Sequence, residues 1–135
     1  TNINNNIFKF KEGQDPAKSG GIPGDQLWDL IAGKAARLAV DPEGKSWVIN
    51  DAGGIYYRKG NHWIGINGVG RDVGVGADNS VWMTSSDDSI WGWHPKTEKW
   101  VKISGKAQKI SVDGEGNPWV VNGVGAIYRN TGPVN

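Results

Sequence analysis

Short runs of alternating apolar and polar residues recur along the chain, and they predict β-strands rather than helices. Arg37–Val40 and Lys109–Val112 alternate over their whole length, and Ser46–Asn50 and Pro118–Asn122 are apolar runs of similar length. Turn-forming residues separate these runs. No longer stretch has apolar positions at the roughly 3.6-residue period of an amphipathic helix. The pattern therefore predicts an essentially all-β chain.

The same series of strands and turns occurs three times at a fixed spacing. Its marks are a Trp, a Gly five residues later, two apolar residues two apart, a second Trp, and an Ile followed by an aromatic residue. From copy to copy every mark shifts by 35 residues and then by 37. The marks are Trp28, Gly33, Leu38, Val40, Trp47 and Ile55-Tyr56; Trp63, Gly68, Val73, Val75, Trp82 and Ile90-Trp91; and Trp100, Gly105, Ile110, Val112, Trp119 and Ile127-Tyr128. Repeats of this length are typical of solenoids, propellers or arrays.

Four short antiparallel strands per repeat predict the blade of a β-propeller. The paired apolar residues, such as Leu38 and Val40, are expected on the first and innermost strand of each blade. Propellers have about four to eight blades, so about three blades in one chain do not close a ring. We therefore expect either a homodimer that forms a six-bladed ring, or one half of a longer protein.

The repeats divide the chain into an N-terminal strand with a Gly/Pro-rich loop at 1–27, and repeats at 28–62, 63–99 and 100–135. Ile7–Lys11 alternates and predicts a strand, whereas the composition of Glu12–Gln26 predicts a loop. Trp28–Ile31 is expected to be a lone strand that completes the last repeat of a second chain, because no Trp strand follows Tyr128. The alternative is that Ile7-Phe8, which also matches the Ile–aromatic mark, is the remnant of a preceding repeat in a longer protein.

Composition limits the classes of function. The net charge is +1 without a basic run, so no nucleic-acid partner is expected. The chain has no cysteine, which excludes disulfides and thiolate metal sites and permits the cytosol without excluding secretion. No apolar run approaches the roughly 18 residues of a membrane helix, so no membrane insertion is expected. With 21 Gly and 8 Trp, the composition fits short strands joined by tight turns.

The repeated pattern W-x-x-I-x-G, then D-x-x-G-x-x-W-x-V-N, then I-Y resembles tectonin-type β-propeller repeats. The residues that carry the resemblance are Trp28, Ile31, Gly33, Asp41, Gly44, Trp47, Ile49, Asn50, Ile55 and Tyr56, and Trp100, Ile103, Gly105, Asp113, Gly116, Trp119, Val121, Asn122, Ile127 and Tyr128. It covers residues 28–129 well and Ile7–Lys11 weakly. The middle copy departs from it, since Ala77-Asp78-Asn79-Ser80 replaces the D-x-x-G turn and Ser85 replaces the Asn.

The resemblance implies a lectin whose six-bladed ring binds surface glycans multivalently in shallow, repeated pockets. It also permits an alternative, because some members serve as protein-interaction domains of larger scaffolding or membrane-trafficking proteins. Most of the matching residues determine the blade rather than a binding site, so they specify the fold better than the function.

Candidate carbohydrate-binding residues fall into three groups: Trp28, Trp63 and Trp100 on the outer strands; Asn50, Asp51, Ser85, Asp87 and Asn122 in loops; and Tyr57, Arg58, Trp93, Tyr128 and Arg129 at strand tips. A Trp ring can stack on the apolar C–H face of a sugar, although packing between blades is its ordinary role. Asn and Asp in loops usually cap turns, but they also bind hydroxyl groups. Trp47, Trp82 and Trp119 are expected to pack in the core.

Signals for chemistry are poor. His62 and His94 lie at non-equivalent positions of different repeats, so no zinc site is expected. The turn Asp113–Asn117 is too short for a calcium loop, and no G-x-S-x-G motif occurs. Carboxylates are scattered over turns without a recurring acid–base pair. We therefore predict a binding protein with no catalytic residues, no metal and no cofactor.

Overall fold

The computed structural model describes residues 6–130, and β-strands form nearly all the regular structure in this range. The strands are β1 (Asn6–Phe10), β2 (Trp28–Lys34), β3 (Arg37–Val40), β4 (Ser46–Ile49), β5 (Ile55–Lys59), β6 (His62–Ile66), β7 (Gly70–Val75), β8 (Val81–Ser85), β9 (Ser89–His94), β10 (Lys99–Lys106), β11 (Lys109–Val112), β12 (Pro118–Val121) and β13 (Ile127–Arg129). Two 3₁₀ turns, Pro16–Lys18 and Gly24–Gln26, interrupt the loop before β2. The predicted all-β fold is confirmed.

Neighbouring strands along the chain pair antiparallel and form four sheets. We name them sheet I (β3–β6), sheet II (β7–β10), sheet III (β11–β13) and the N-terminal hairpin (β1–β2). The hairpin belongs to a compact unit that ends at Ala35, and sheets I to III belong to a second unit that begins at Ala36.

In sheets I to III the first strand is the innermost one, as the sequence predicts. β7 packs against both β3 and β11, the first strands of the neighbouring sheets. Gly74 allows the close approach to β11, because a Cβ there would lie 3.1 Å from Cγ2 of Val112 and 3.2 Å from Cα of Ser111. Val73 and Ile110 are buried on these strands.

The core lies between successive sheets. Apolar side chains of sheet I pack against those of sheet II: Trp47, Ile49, Ile55, Val73, Val81 and Met83. A second cluster joins Trp82 and Ile90 to Ile110 of sheet III. Trp47 and Trp82 are each 3% exposed, which confirms their predicted core role. The same prediction for Trp119 is wrong: its side chain is 43% exposed, because within residues 36–130 no further sheet follows sheet III to cover it.

The pairs β1–β2, β5–β6 and β9–β10 are hairpins that share one strand register. The equivalent pairs are Ile7 with Ile31, Ile55 with Ile66 and Ile90 with Ile103, and then Phe10 with Trp28, Arg58 with Trp63 and Trp93 with Trp100. β1 and β2 are therefore equivalent to the third and fourth strands of a sheet. The expectation that Trp28–Ile31 is a lone strand is wrong, because β1 pairs with it. In this pairing, Ile7-Phe8 takes the place that the Ile–aromatic mark has in the third strands of the other sheets.

The glycine five residues after each outer-strand Trp has a conformational role. Gly33, Gly68 and Gly105 have φ of 118°, 123° and 119°, a region that side chains with a Cβ rarely adopt. In β10 the register with β9 shifts between Ile103 and Lys106, which is a bulge around Gly105. The repeated glycine thus ends regular pairing on the outer strand and redirects the chain toward the next sheet.

The turn after each innermost strand is the same in all three repeats. In sheet I, Oδ1 of Asp41 accepts hydrogen bonds from the backbone N of Glu43 (2.9 Å) and Lys45 (2.8 Å). Gly44 then adopts φ of 87°. In the middle repeat Asn79 has φ of 68° and donates its backbone N–H to the carbonyl of Gly76, as Gly44 does to Asp41. The departure of this repeat from the D-x-x-G pattern therefore preserves the turn.

Candidate functional site

The three candidate outer-strand tryptophans have different surroundings. Trp28 is 45% exposed and meets Phe10 edge-on, with ring centroids 5.0 Å apart. The Arg58 guanidinium lies 4.9 Å from the centroid of Trp63. Trp100 is half-buried and packs edge-on against Trp93 at 5.0 Å. Although the three positions are equivalent in sequence, the Trp28 ring is exposed, the Trp63 ring is covered by a cation and the Trp100 ring is packed against another indole.

The candidate loop residues Asn50 and Asn122 cap turns. Oδ1 of Asn50 accepts hydrogen bonds from the backbone N of Ala52 (3.0 Å) and Gly54 (2.8 Å). Oδ1 of Asn122 accepts the equivalent bonds from Val124 (3.1 Å) and Ala126 (2.9 Å). Asp51 is exposed at the tip of the first of these turns. The side-chain carbonyl oxygens of both residues thus cap their turns by accepting backbone hydrogen bonds, which is the ordinary role of Asn in a loop.

The equivalent turn of the middle repeat is built from a hydroxyl and two carboxylates. Ser85 Oγ donates a hydrogen bond to Asp87, and the backbone N of Ser89 donates a second one at 3.1 Å. These hydrogen bonds hold the pKa of Asp87 far below its ordinary value, and the bond from Ser85 has the largest effect. Asp88 forms an ion pair with Arg71. The turn therefore presents an ordered carboxylate that stays ionised.

A cavity of about 400 Å³, which we call groove A, lies between sheets I and II. Trp91 and Trp100 supply aromatic surface, and Asn67, Ser85 and Asp87 supply polar groups. Trp91 donates its indole N–H to Ser85 Oγ at 3.4 Å. Two candidate residues, Ser85 and Asp87, thus lie beside the candidate Trp100. Groove A therefore places an aromatic ring next to hydrogen-bond acceptors and donors.

A neighbouring cavity of about 460 Å³ between the same sheets also has Trp100 and Asn67 in its wall. Here the candidates Tyr57 and Trp93 contribute the aromatic surface. The Lys45 ammonium lies 4.1 Å from the centroid of Tyr57. Nε1 of Trp100 is buried and has no hydrogen-bond partner among residues 6–130.

A cavity of about 460 Å³ between sheets II and III, which we call groove B, is lined by Asn122, Tyr128 and Arg129. The strand register makes Tyr128 the equivalent of Trp91, and Arg129 the equivalent of Tyr57. The Tyr128-Arg129 pair therefore stands one position earlier than Tyr57-Arg58, so the two pairs are not equivalent tips. The Arg129 guanidinium lies 5.7 Å from the ring centroid of Trp119.

Sequence reasoning missed two residues of groove A. In the sequence Trp91 stands out only as the aromatic mark of the third strand, yet its ring lines the groove. Asn67 directly precedes the repeated glycine Gly68, and it reaches both cavities beside Trp100. The position of Trp91 in its strand could have indicated this. It follows the buried Ile90, and successive residues of a strand point to opposite faces, so the Trp91 ring lies on the other face.

Residues 6–130 contain neither a cluster of metal ligands nor a membrane-spanning helix. No group of three or more His, Asp or Glu side chains there is placed to hold a metal ion. The described part also lacks any helix of the length and hydropathy that crossing a membrane requires.

Comparison with known proteins agrees with this architecture. The family model described as "Tectonin domain" matches residues 34–135, which is more than half of the chain. A solved structure described as "YCF48 bound to D1 peptide", a β-propeller, is similar with a TM-score of 0.53 and 21% sequence identity. The match covers 80% of this chain but 42% of that one, so this chain spans less than half of its length. Among curated proteins, none matches the chain.

Proposed function

We propose, from the premise that the chain belongs to the tectonin family, that it is a lectin that binds glycans multivalently and catalyses no reaction. Proteins of this β-propeller family are often lectin-like. The observation that carries the proposal is groove A, where Trp91 and Trp100 lie beside Asn67, Ser85 and Asp87. Sugars have apolar C–H faces and a rim of hydroxyl groups, which need this combination of surfaces.

Each side chain of groove A has a separate role in this proposal. The Trp91 ring is half-buried and has the Lys102 ammonium 5.9 Å from its centroid, so a sugar would stack on the part of the ring that faces groove A. Asp87 remains a carboxylate because its pKa is lowered, and it therefore accepts hydrogen bonds from sugar hydroxyls. The Asn67 amide both donates and accepts. The groove has no acid–base pair of carboxyl groups, so binding without catalysis is the proposed activity.

Repetition is the reason that weak sites suffice. Groove B has Tyr128 where groove A has Trp91, and Asn122 where groove A has Ser85. Both grooves thus combine an aromatic ring with polar neighbours, although the polar groups differ. Several such sites facing one glycan-coated surface raise avidity by roughly 10²–10⁴ without new contacts.

The proposal is tested by glycan-array screening of the folded chain, followed by titration of any sugar found. Trp91→Ala is expected to weaken single-site affinity about tenfold, because stacking of an aromatic ring is lost. Asp87→Ala is expected to weaken it as well, by loss of an ionised acceptor. Glu43→Ala is the matched control, since Glu43 is an exposed turn carboxylate outside both grooves. An array without hits contradicts the proposal.

A second candidate function is protein interaction as a domain of a larger scaffolding or trafficking protein. Groove B favours it, since its lining includes the apolar side chains of Ile90, Ile103 and Val120 beside the open strand β13. The solved structure noted above is described as bound to a peptide, which is a statement about that protein. Peptide-array binding together with a blank glycan array would favour this second function.

A further inference from the structure

The outer edge of β13 is unpaired, and its exposed side chains are chemically complementary to those of β2. In sheets I and II a fourth strand, β6 or β10, covers the third strand, whereas no strand of residues 6–130 covers β13. On β13, Ile127 is 67% exposed and Tyr128 is 59% exposed. Exposed apolar edges of this kind are strand-pairing sites in proteins.

Groove B lacks the aromatic ring that the fourth strand brings to groove A. A Cβ on Gly68, beside groove A, would lie 3.7 Å from Cδ1 of Trp100. The equivalent glycine beside groove B is Gly105, and among residues 6–130 a Cβ there would meet only Ile90 Cδ1, at 3.3 Å, within 4 Å. Within the described part of the chain, no side chain therefore stands in groove B at the place that an incoming Trp would take.

β13 resembles β1, the present partner of β2, more closely than it resembles the other third strands. β1 reads Ile7-Phe8-Lys9 and β13 reads Ile127-Tyr128-Arg129, so both offer an Ile, an aromatic ring and a cation. The equivalent residues of β5 and β9 end on Tyr57 and Gly92 instead. In the hairpin, Asp29 of β2 stands opposite the cation Lys9 in register and forms its ion pair with Lys11, so this carboxylate already has a cation as partner. The other fourth strands have Ile64 and Val101 at that position.

We propose that the outer edge of β13 takes β2 of a second copy of this chain, in exchange for β1. The register shared by the three hairpins then fixes the cross-strand pairs: Ile31 opposite Ile127, Leu30 opposite Tyr128, Asp29 opposite Arg129 and Trp28 opposite Asn130. Asp29 and Arg129 provide charge complementarity at the centre of the new pair. Trp28 enters groove B as the counterpart of Trp100.

The exchange has a physical driving force. A two-stranded sheet is marginal in water, whereas a strand added to sheet III completes a four-stranded sheet. Leu30 is 64% exposed against β1, and Tyr128 is exposed on β13, so pairing them removes apolar surface from water. Reciprocal exchange between two copies joins two sets of three four-stranded sheets. A ring of six blades lies within the roughly four-to-eight range of closed propellers.

The first test measures the mass of the chain in solution against concentration. The chain is expected to be a dimer. Arg129→Glu is expected to weaken dimerisation about tenfold or more, because repulsion replaces attraction at both reciprocal pairs. Asp29→Lys is expected to do the same. A mixture of the two variants refolded together restores the dimer, since each interface then pairs either Lys with Glu or Asp with Arg. Lys59→Glu is the matched control, a cation on a third strand whose outer edge β6 already covers.

The second test fixes the register and does not depend on the stability of the charge variants. The chain has no cysteine, so a Leu30→Cys chain and a Tyr128→Cys chain form a disulfide only with each other or with themselves. Refolded together in air, they are expected to give a covalent heterodimer. Leu30→Cys with Arg129→Cys is the control, because residue 129 faces the opposite side of its strand.

Three results overturn the proposal. The first is a chain that stays monomeric at its highest soluble concentration. The second is the failure of the Cys pair to cross-link while both thiols react with a soluble reagent. The third is a dimer that Lys9→Glu prevents and Arg129→Glu does not, which would mean that the whole β1–β2 hairpin displaces β13. Glycan binding at groove A is measured separately, so neither result decides the other.

Discussion

Two residues of the middle repeat, Asn79 and Asp88, hold backbone conformations that glycine holds in the flanking repeats. Asn79 has φ of 68°, where Gly44 and Gly116 have 87° and 85°. Asp88 has φ of 70° at the position equivalent to Gly53 and Gly125. Asn and Asp tolerate this region better than other residues with a Cβ. The ion pair of Asp88 with Arg71 gives the second substitution an interaction that glycine cannot make.

Substitutions at Asn79 test this account. Asn79→Val is expected to destabilise the chain by about 1–2 kcal/mol, because a β-branched residue is strained in the left-handed region. Asn79→Gly is expected to be neutral or slightly stabilising. Chemical denaturation of both variants measures the difference. Equal stability of the Gly and Val variants would show that the turn does not require this backbone conformation.

Asp87 links stability to pH. Its pKa is lowered in the folded chain, so folding is favoured by its ionised form, and this contribution is present above the unfolded pKa of roughly 3.9. The contribution is lost as the pH falls below that value toward the folded pKa. Asp87→Asn is expected to reduce the acid sensitivity of the unfolding midpoint below about pH 4. Denaturant titrations at several pH values measure this, and Glu43→Gln, at an exposed turn position, serves as control.

Contact between innermost strands is the element-scale feature that the glycines control. Gly74→Ala would place a Cβ within 3.4 Å of the Ile110 carbonyl oxygen as well as against β11 backbone. It is expected to cost about 1–3 kcal/mol, because backbone cannot move aside as a flexible side chain does. Gly114→Ala, which meets nothing within 4 Å, is expected to stay within about 0.5 kcal/mol of the unchanged chain. Thermal unfolding compares the two.

The strands and their order could be predicted from the sequence because pattern and turn chemistry repeat three times. The predicted Arg37–Val40 and Lys109–Val112 are the observed β3 and β11. The sequence also predicts the loop before β2. It predicts a strand that begins at Trp28 as well, and β2 begins there although a 3₁₀ turn ends at Gln26. Local period and turn residues are sufficient for these features, since strand boundaries depend on neighbours in sequence.

What depends on neighbours in space could not be predicted. Trp119 shares its sequence position with Trp47 and Trp82, yet it is exposed because burial needs a facing sheet. Trp91 joins groove A only because sheets I and II come together. A repeat pattern predicts where a residue lies within its sheet. The burial and contacts of that residue depend on whether a neighbouring sheet packs against it.

At the scale of the whole molecule, stability is expected to be graded from the middle sheet to the last strand. Four of the five residues of β8 are buried, and β7 and β9 pair with its two edges. All three residues of β13 are exposed. Amide hydrogen exchange at low protein concentration is therefore expected to be slower in β8 than in β13. Uniform exchange over all sheets would indicate one cooperative unit without such a gradient.

The shared register of the three outer hairpins has a consequence for engineering. The equivalent pairs Phe10 with Trp28, Arg58 with Trp63 and Trp93 with Trp100 enclose segments of different length, residues 11–27, 59–62 and 94–99, yet the strand pairing is the same in all three. The hairpin tip is therefore expected to be a permissive insertion point, at which an epitope, a tag or a second binding loop can replace residues 12–26, while the buried Leu27 and the Lys11–Asp29 ion pair stay in place. Because loop-closure entropy grows only slowly with length, such grafts carry little thermodynamic penalty.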